Sequence, residues 1–96
     1  MLLDGATGQL ASESPALLRE LQGGALASHS KAEITQSMIE VNSSVHCSAD
    51  TLEAELRSIC AAVKGAADRL RLLPCGGGAH PFRDWPQREI FPAERF

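Results

Sequence analysis

The chain has 96 residues, of which 44% are hydrophobic and 22% are charged, and its formal net charge is -3. This length allows one small domain with a modest core. The absence of a basic block argues against a nucleic-acid partner, and no apolar stretch approaches the roughly 20 residues that span a bilayer. Because the first residues also lack the features of a signal peptide, we expect a cytoplasmic protein with no membrane partner.

The first part of the chain predicts a hairpin followed by a short helix. Residues 4–8 are rich in turn formers, and Leu2-Leu3 and Leu10-Ala11 on either side resemble the ends of two paired strands. Ser14-Pro15 then opens a helix, because serine caps helix N-termini and proline suits the first helical position. Gly23-Gly24 ends that helix.

Two strands are predicted next, over residues 25–34 and 38–46. The first alternates only weakly, and Glu33 lies on the same face as Lys31. The second alternates clearly between apolar and polar residues, and Glu40 lies on a polar face that holds no lysine or arginine.

The clearest pattern is an amphipathic helix over residues 49–71, with Ser48 as its cap. Its apolar residues recur at steps of four and three, as on one helical face: Leu52, Leu56, Ile59, Val63, Ala66 and Leu70. The stripe is too short for a coiled coil, so we expect this helix to pack on the sheet. Cys60 falls on the stripe and is interpreted as a small buried thiol. Residues 72–75 predict a short strand.

Glu33 and Glu40 are candidate metal ligands. If the two strands pair in antiparallel fashion and face the same way, the carboxylates come together on a rigid sheet. Such oxygen ligands suit Mg²⁺, which usually shares them with phosphate. The alternative is that both are glutamates facing solvent on a half-exposed sheet, and spacing alone favours that alternative.

The second candidate is the run from Gly76 to Phe82, which reads Gly-Gly-Gly-Ala-His-Pro-Phe. Three glycines allow close backbone approach or a positive φ. Pro81 biases the residue before it toward an extended conformation, so His80 is a pre-oriented imidazole. No Gly-Lys-Ser/Thr follows, so the run is not a P-loop. A simple bend at the end of a strand is the alternative interpretation.

The cysteines give little indication of a disulfide framework or a metal site. Three of them, with no CxxC pair, argue against a disulfide framework. A zinc site is conceivable from four residues of suitable type, but their spacing matches no zinc-binding pattern: His46, Cys47, Cys75 and His80.

Taken together, these segments resemble the N-terminal part of the glutamate–cysteine ligase type 2 family, the YbdK-like carboxylate–amine ligases. The resemblance covers essentially the whole chain from Leu3 onward. It is carried by residues 34–41 (Ile-Thr-Gln-Ser-Met-Ile-Glu-Val), Val45-His46-Cys47, the long helix, residues 76–85 and Glu94-Arg95-Phe96.

The resemblance implies a chemistry and a set of site residues. The reaction would be phosphorylation of the glutamate γ-carboxylate by ATP, with Mg²⁺, followed by attack of the cysteine amine. Glu40 matches a family glutamate that would hold metal or substrate ammonium, and Glu33 matches an acidic position. His80 matches the histidine of the family's His-Pro-Phe motif and is the candidate catalytic residue. Ala79 replaces a usual threonine.

The resulting fold prediction is α+β: an antiparallel sheet of a few strands backed by one long and one short helix. We expect residues 1–96 to form a single partial domain of a glutamine-synthetase-like catalytic fold. The family normally begins with a strand bearing Glu-x-Glu and continues for several times this length. We therefore expect a ligase fragment that is inactive alone and binds no cofactor tightly. The alternative is a non-catalytic remnant, and in either case we expect a homo-oligomer.

Overall fold

A computed structural model describes residues 1–24, 26–77, 79–81 and 84–96. In these ranges the elements follow one another as β1 (Leu2–Asp4), α1 (Ser14–Gln22), β2 (Ser30–Ala32), β3 (Ile39–Val41), α2 (Ala49–Arg69) and β4 (Leu72–Pro74). Short 3-10 turns occupy Ala27–His29 and Trp85–Gln87. The predicted α+β class, with one long and one short helix, is confirmed.

The strands form two antiparallel pairs rather than one larger sheet. β1 pairs with β4, with Leu3 opposite Leu73, and β2 pairs with β3, with Lys31 opposite Glu40. The predicted strand over 25–34 is reduced to Ser30–Ala32, because Ala27–His29 form a 3-10 turn and the chain turns after Ala32; residue 25 lies outside the described residues. Thr35 instead bridges to Ile90 in the C-terminal tail. The predicted strand over 38–46 is also shorter and covers Ile39–Val41.

The predicted N-terminal hairpin is present, since Leu3 bridges to Leu10 in antiparallel fashion. Helix α1 begins one residue earlier than predicted. Glu13 occupies the N-cap position without a side-chain cap, and Ser14 is the first helical residue. Ser14 is fully buried, and its N–H donates to the Gln36 carbonyl at 2.8 Å. The Gln36 carbonyl therefore accepts the hydrogen bond of the first helical N–H.

Helix α2 confirms the strongest prediction. The Ser48 hydroxyl accepts from the Thr51 N–H at 3.3 Å and caps the helix. The core lies between α2, α1 and the β1–β4 pair and is formed by buried apolar residues: Leu2, Leu17, Leu21, Ile59, Val63, Ala66, Ala67 and Leu72.

Only the C-terminal half of the apolar stripe is buried in this core. Leu56 stays 37% exposed. The prediction for Cys60 is wrong, because its thiol is exposed. Cys60 follows Ile59 by one residue, about 100° around the helix, which places it at the edge of the buried face.

Among the described residues, no helix combines the length and the apolar character needed to cross a membrane.

Candidate functional site

Glu40 lies at the centre of β3, directly opposite Lys31 of β2. Its side chain is held from one side by Asn42, whose Nδ2 donates to Glu40 Oε1 at 2.6 Å. The two residues are two positions apart on an extended chain, so their side chains project to the same face. Glu40 is therefore a carboxylate held by a neighbouring amide on a paired strand.

Glu33 lies just beyond β2, which ends at Ala32 opposite Ile39. Its Oε2 accepts from the N–H of Ile34 at 3.3 Å, so the carboxylate folds back on its own backbone. The residue directly across from Glu40 is Lys31. The role of Glu33 as a partner of Glu40 in binding metal stays a prediction.

The side-chain oxygen of Asn42 bears on whether the residues around Glu40 suit Mg²⁺. Its Oδ1 is buried and has no hydrogen-bond partner among the described residues. An unpaired buried carbonyl oxygen is costly and calls for a donor or a cation. Mg²⁺ prefers oxygen ligands and commonly takes one or two carboxylates plus water and phosphate. The donor types of Glu40 and Asn42 fit that ion.

A second polar cluster surrounds Glu55 in the first half of α2. Its Oε1 accepts from the N–H of Ser44 at 2.6 Å, and its Oε2 lies 2.6 Å from His46 Nε2. His29 Nδ1 is 3.8 Å from Oε1. One helical carboxylate thus holds the segment that leaves β3 and touches the end of the 3-10 turn before β2.

These contacts change the acid–base behaviour of Glu55. The N–H of Ser44, the largest influence, and the imidazole of His46 hold the pKa of the Glu55 carboxyl below its usual value, against a smaller opposing effect of desolvation. The sequence did not predict this cluster, because acidic residues such as Glu55 are common near a helix N-terminus. The only signal was the imidazole on the polar face of the preceding strand, at position 46.

His80 lies apart from these groups, against the turn that follows β1. It is 7% exposed, and its Nε2 lies 3.0 Å from the carbonyl of Gly8. Because a carbonyl only accepts, Nε2 carries the proton in this arrangement. The Gly8 carbonyl is thus a partner that orients the His80 ring. Gly77 has a φ of 121°, which suits glycine, and Gly78 and Phe82 lie outside the described residues.

The zinc alternative gains no support from the described part of the chain. It contains no group of three or more His, Cys, Asp or Glu residues placed to hold a metal ion. Cys47, Cys60 and Cys75 are all free and exposed.

Comparison with known proteins confirms the resemblance stated from the sequence. A Legionella pneumophila (strain Corby) protein named "Putative glutamate–cysteine ligase 2-1" is 40% identical over 95 residues, which cover 99% of this chain and 25% of the relative. Similarly named proteins of Bordetella avium and Bordetella parapertussis are 44% and 43% identical, again over 99% of this chain, which covers 24% and 23% of them.

The chain therefore spans about a quarter of the length of the curated relatives it matches. No protein-family model matches the chain, and no solved structure matches it significantly.

Proposed function

We propose that this chain, a relative of the type 2 glutamate–cysteine ligases, forms part of an ATP-dependent ligase that joins the carboxylate of glutamate to the amine of cysteine. The observation that carries this proposal is identity of 40–44% over 99% of the chain to proteins of that name. The alignment covers nearly the whole chain, so the similarity is not confined to one motif.

Within that ligase, Glu40 would hold Mg²⁺. The ion would neutralise phosphoryl charge during transfer from ATP. Glu33 is the further carboxylate proposed for this site. His80 is the proposed catalytic residue, and the Gly8 carbonyl fixes its ring so that Nε2–H points into the turn.

We also propose that the 96-residue chain does not catalyse the ligation by itself. The chain covers only 23–25% of the length of these relatives. Purified chain should give no cysteine-dependent ADP release with glutamate and ATP. Robust turnover by the isolated chain would overturn this point.

A chimera tests the ligase assignment directly. The matching 95 residues of the Bordetella avium relative are replaced by this chain, and cysteine-dependent ADP release is compared with that of the unaltered relative. Activity of the chimera within about tenfold of the relative supports the proposal. An active relative paired with an inactive, folded chimera would contradict it, and so would a relative that is inactive with glutamate and cysteine.

The same chimera tests the individual positions. Glu40→Gln should lower kcat at least 100-fold, because it removes a charge that faces the metal. Lys31→Gln, across the strand pair, is the control and should change kcat much less. Equal effects of the two substitutions would remove the special role proposed for Glu40.

A second candidate function, a self-associating non-catalytic domain, rests on exposed apolar surface. Val45 is 98% exposed and Leu73 47% exposed. Exposed apolar surface favours association. Sedimentation should show a homodimer or larger assembly that Leu73→Lys weakens. A monomer at all concentrations would contradict this candidate.

A further inference from the structure

Hydrogen bonds join Glu40, Asn42 and His29, and Glu55 of helix α2 lies near His29. Asn42 Nδ2 donates to Glu40 Oε1 at 2.6 Å. The Asn42 carbonyl accepts from His29 Nδ1 at 2.8 Å, and His29 lies 3.8 Å from Glu55 Oε1. We propose that Asn42 and Glu55 are positioning residues for Glu40: they hold its carboxylate in one orientation ready for a cation. This inference rests on the proposed function, which assigns the cation to Glu40.

The first step is the orientation of the Asn42 amide. If the amide were flipped, Oδ1 would face the carboxylate of Glu40, and two oxygens 2.6 Å apart would repel each other. The Glu40 carboxylate therefore selects the rotamer with Nδ2 toward it. This same rotamer leaves Oδ1 as the buried oxygen without a partner. The amide thus fixes the carboxylate through Nδ2, while Oδ1 lies on the other side of the amide.

The second step is the backbone that carries Asn42. The strand ladder continues past β3, because the Asn42 N–H donates to the His29 carbonyl at 2.9 Å. His29 returns a bond from its ring to the Asn42 carbonyl. Both polar groups of the Asn42 backbone are therefore bound to one residue, which restricts the rotation of Asn42 relative to Glu40.

The third step is the carboxylate that holds this segment against the helix. Glu55 binds Ser44 N–H and the His46 ring, each at 2.6 Å, immediately beyond Asn42. A contact of 3.0 Å between His46 Nδ1 and Thr51 Oγ1 adds a second link to α2. Residues 42–46 have no regular secondary structure, so these side-chain bonds replace the missing ladder.

Outer groups of this kind orient metal ligands, and their removal typically weakens metal affinity about 10- to 100-fold. Glu55 and Asn42 would act in this way on Glu40 without binding the ion themselves. The chain offers matched controls. Glu53 lies on the same helix, but its carboxylate pairs with Arg57 at the surface. Ser43 is an exposed neighbour of Asn42.

The experiment uses NMR on the 96-residue chain, with Mn²⁺ as the probe for Mg²⁺. Without metal, Asn42→Ala and Glu55→Ala should each average the Glu40 χ1 couplings, and Glu55→Ala should also shift the Asn42 side-chain amide signals. Glu53→Ala and Ser43→Ala should leave these signals as in the wild type. With Mn²⁺, broadening at Glu40 should require about tenfold more metal in the two test variants than in the controls.

The outcomes separate the two proposals. Unchanged Glu40 couplings in both Asn42→Ala and Glu55→Ala would overturn the positioning role, whatever the metal does. Absence of Mn²⁺ broadening at Glu40 in the wild type would instead count against the cation assignment, while the metal-free couplings still decide the positioning role. If Glu55→Ala fails to fold, Asn42→Ala decides the matter, because Asn42 lies outside the buried apolar core.

Discussion

The N–H of Gly5 donates to the carbonyl of Arg71 at 2.9 Å and joins the turn after β1 to the turn after α2. The approach is so close that a Cβ on Gly5 would lie 2.7 Å from the Arg71 oxygen. Arg71 itself has a φ of 57°, a left-handed conformation that is uncommon for residues other than glycine. This contact closes the connection that brings β4 alongside β1.

Gly5→Ala should destabilise the fold by about 1–3 kcal/mol, because the added methyl meets rigid backbone and forces the two turns apart. Gly23→Ala is the matched control, since a Cβ there meets nothing within 4 Å. Urea unfolding followed by circular dichroism measures both. A Gly5→Ala variant as stable as Gly23→Ala would show that the two turns can separate without loss.

Arg71→Gly should raise the free energy of unfolding by up to about 1 kcal/mol, because glycine adopts a positive φ without the steric cost that other residues incur. Arg71→Ala removes the same charged side chain but keeps the unfavourable conformation, so it should not stabilise. Equal stabilities of the two variants in chemical denaturation would argue against strain at this position.

Leu17→Ala should destabilise the fold by about 2–5 kcal/mol, since Leu17 is completely buried between α1 and the core and its loss leaves a cavity. Leu56→Ala makes the same chemical change on α2, where the side chain is 37% exposed, and should cost far less. Thermal and urea unfolding of both variants provide the comparison. Similar losses would mean that the exposed half of the α2 stripe is covered in solution.

The stability of the fold should depend on Glu55 in a pH-sensitive way. The Ser44 N–H above all, and His46 as well, hold the pKa of Glu55 in the folded state below the usual value of a glutamate carboxyl. A lowered folded pKa stabilises the fold above the unfolded pKa, and that stability is lost as pH falls through the folded pKa. The stability difference between wild type and Glu55→Gln should therefore be full at pH 7 and shrink as the pH falls below the usual glutamate pKa of about 4.3.

Urea unfolding at a series of pH values from 7 to 3 measures this difference. Asp4 titrates in the same direction, because the N–H groups of Ala6 and Thr7 lower its pKa. An Asp4→Asn background removes that contribution and isolates Glu55. A difference between wild type and Glu55→Gln that is the same at every pH would contradict the assigned role of the carboxylate.

Strong local patterns carried over into the structure. The periodic apolar residues of α2 and the hydroxyl of Ser48 specify a helix and its start from neighbours within four residues, so they need no tertiary information. Pro15 marked the first turn of α1 for the same reason. The strand over 25–34 had no comparable local signal. The hydrogen bonds of residues 34–36 to the tail, including Gln36 N–H to the Glu89 carbonyl, decided where it stops.

The candidate site shows the same division. The sequence by itself determined the residue types, the polar face that carries Glu40 and the similarity to a ligase family. Only the tertiary structure decided that Lys31 lies opposite Glu40, that Cys60 is exposed, that Gly8 holds His80 and that Glu55 binds the segment after β3. The physical reason is distance along the chain: the contacts join residues that lie on different elements, and no local periodicity encodes how those elements pack.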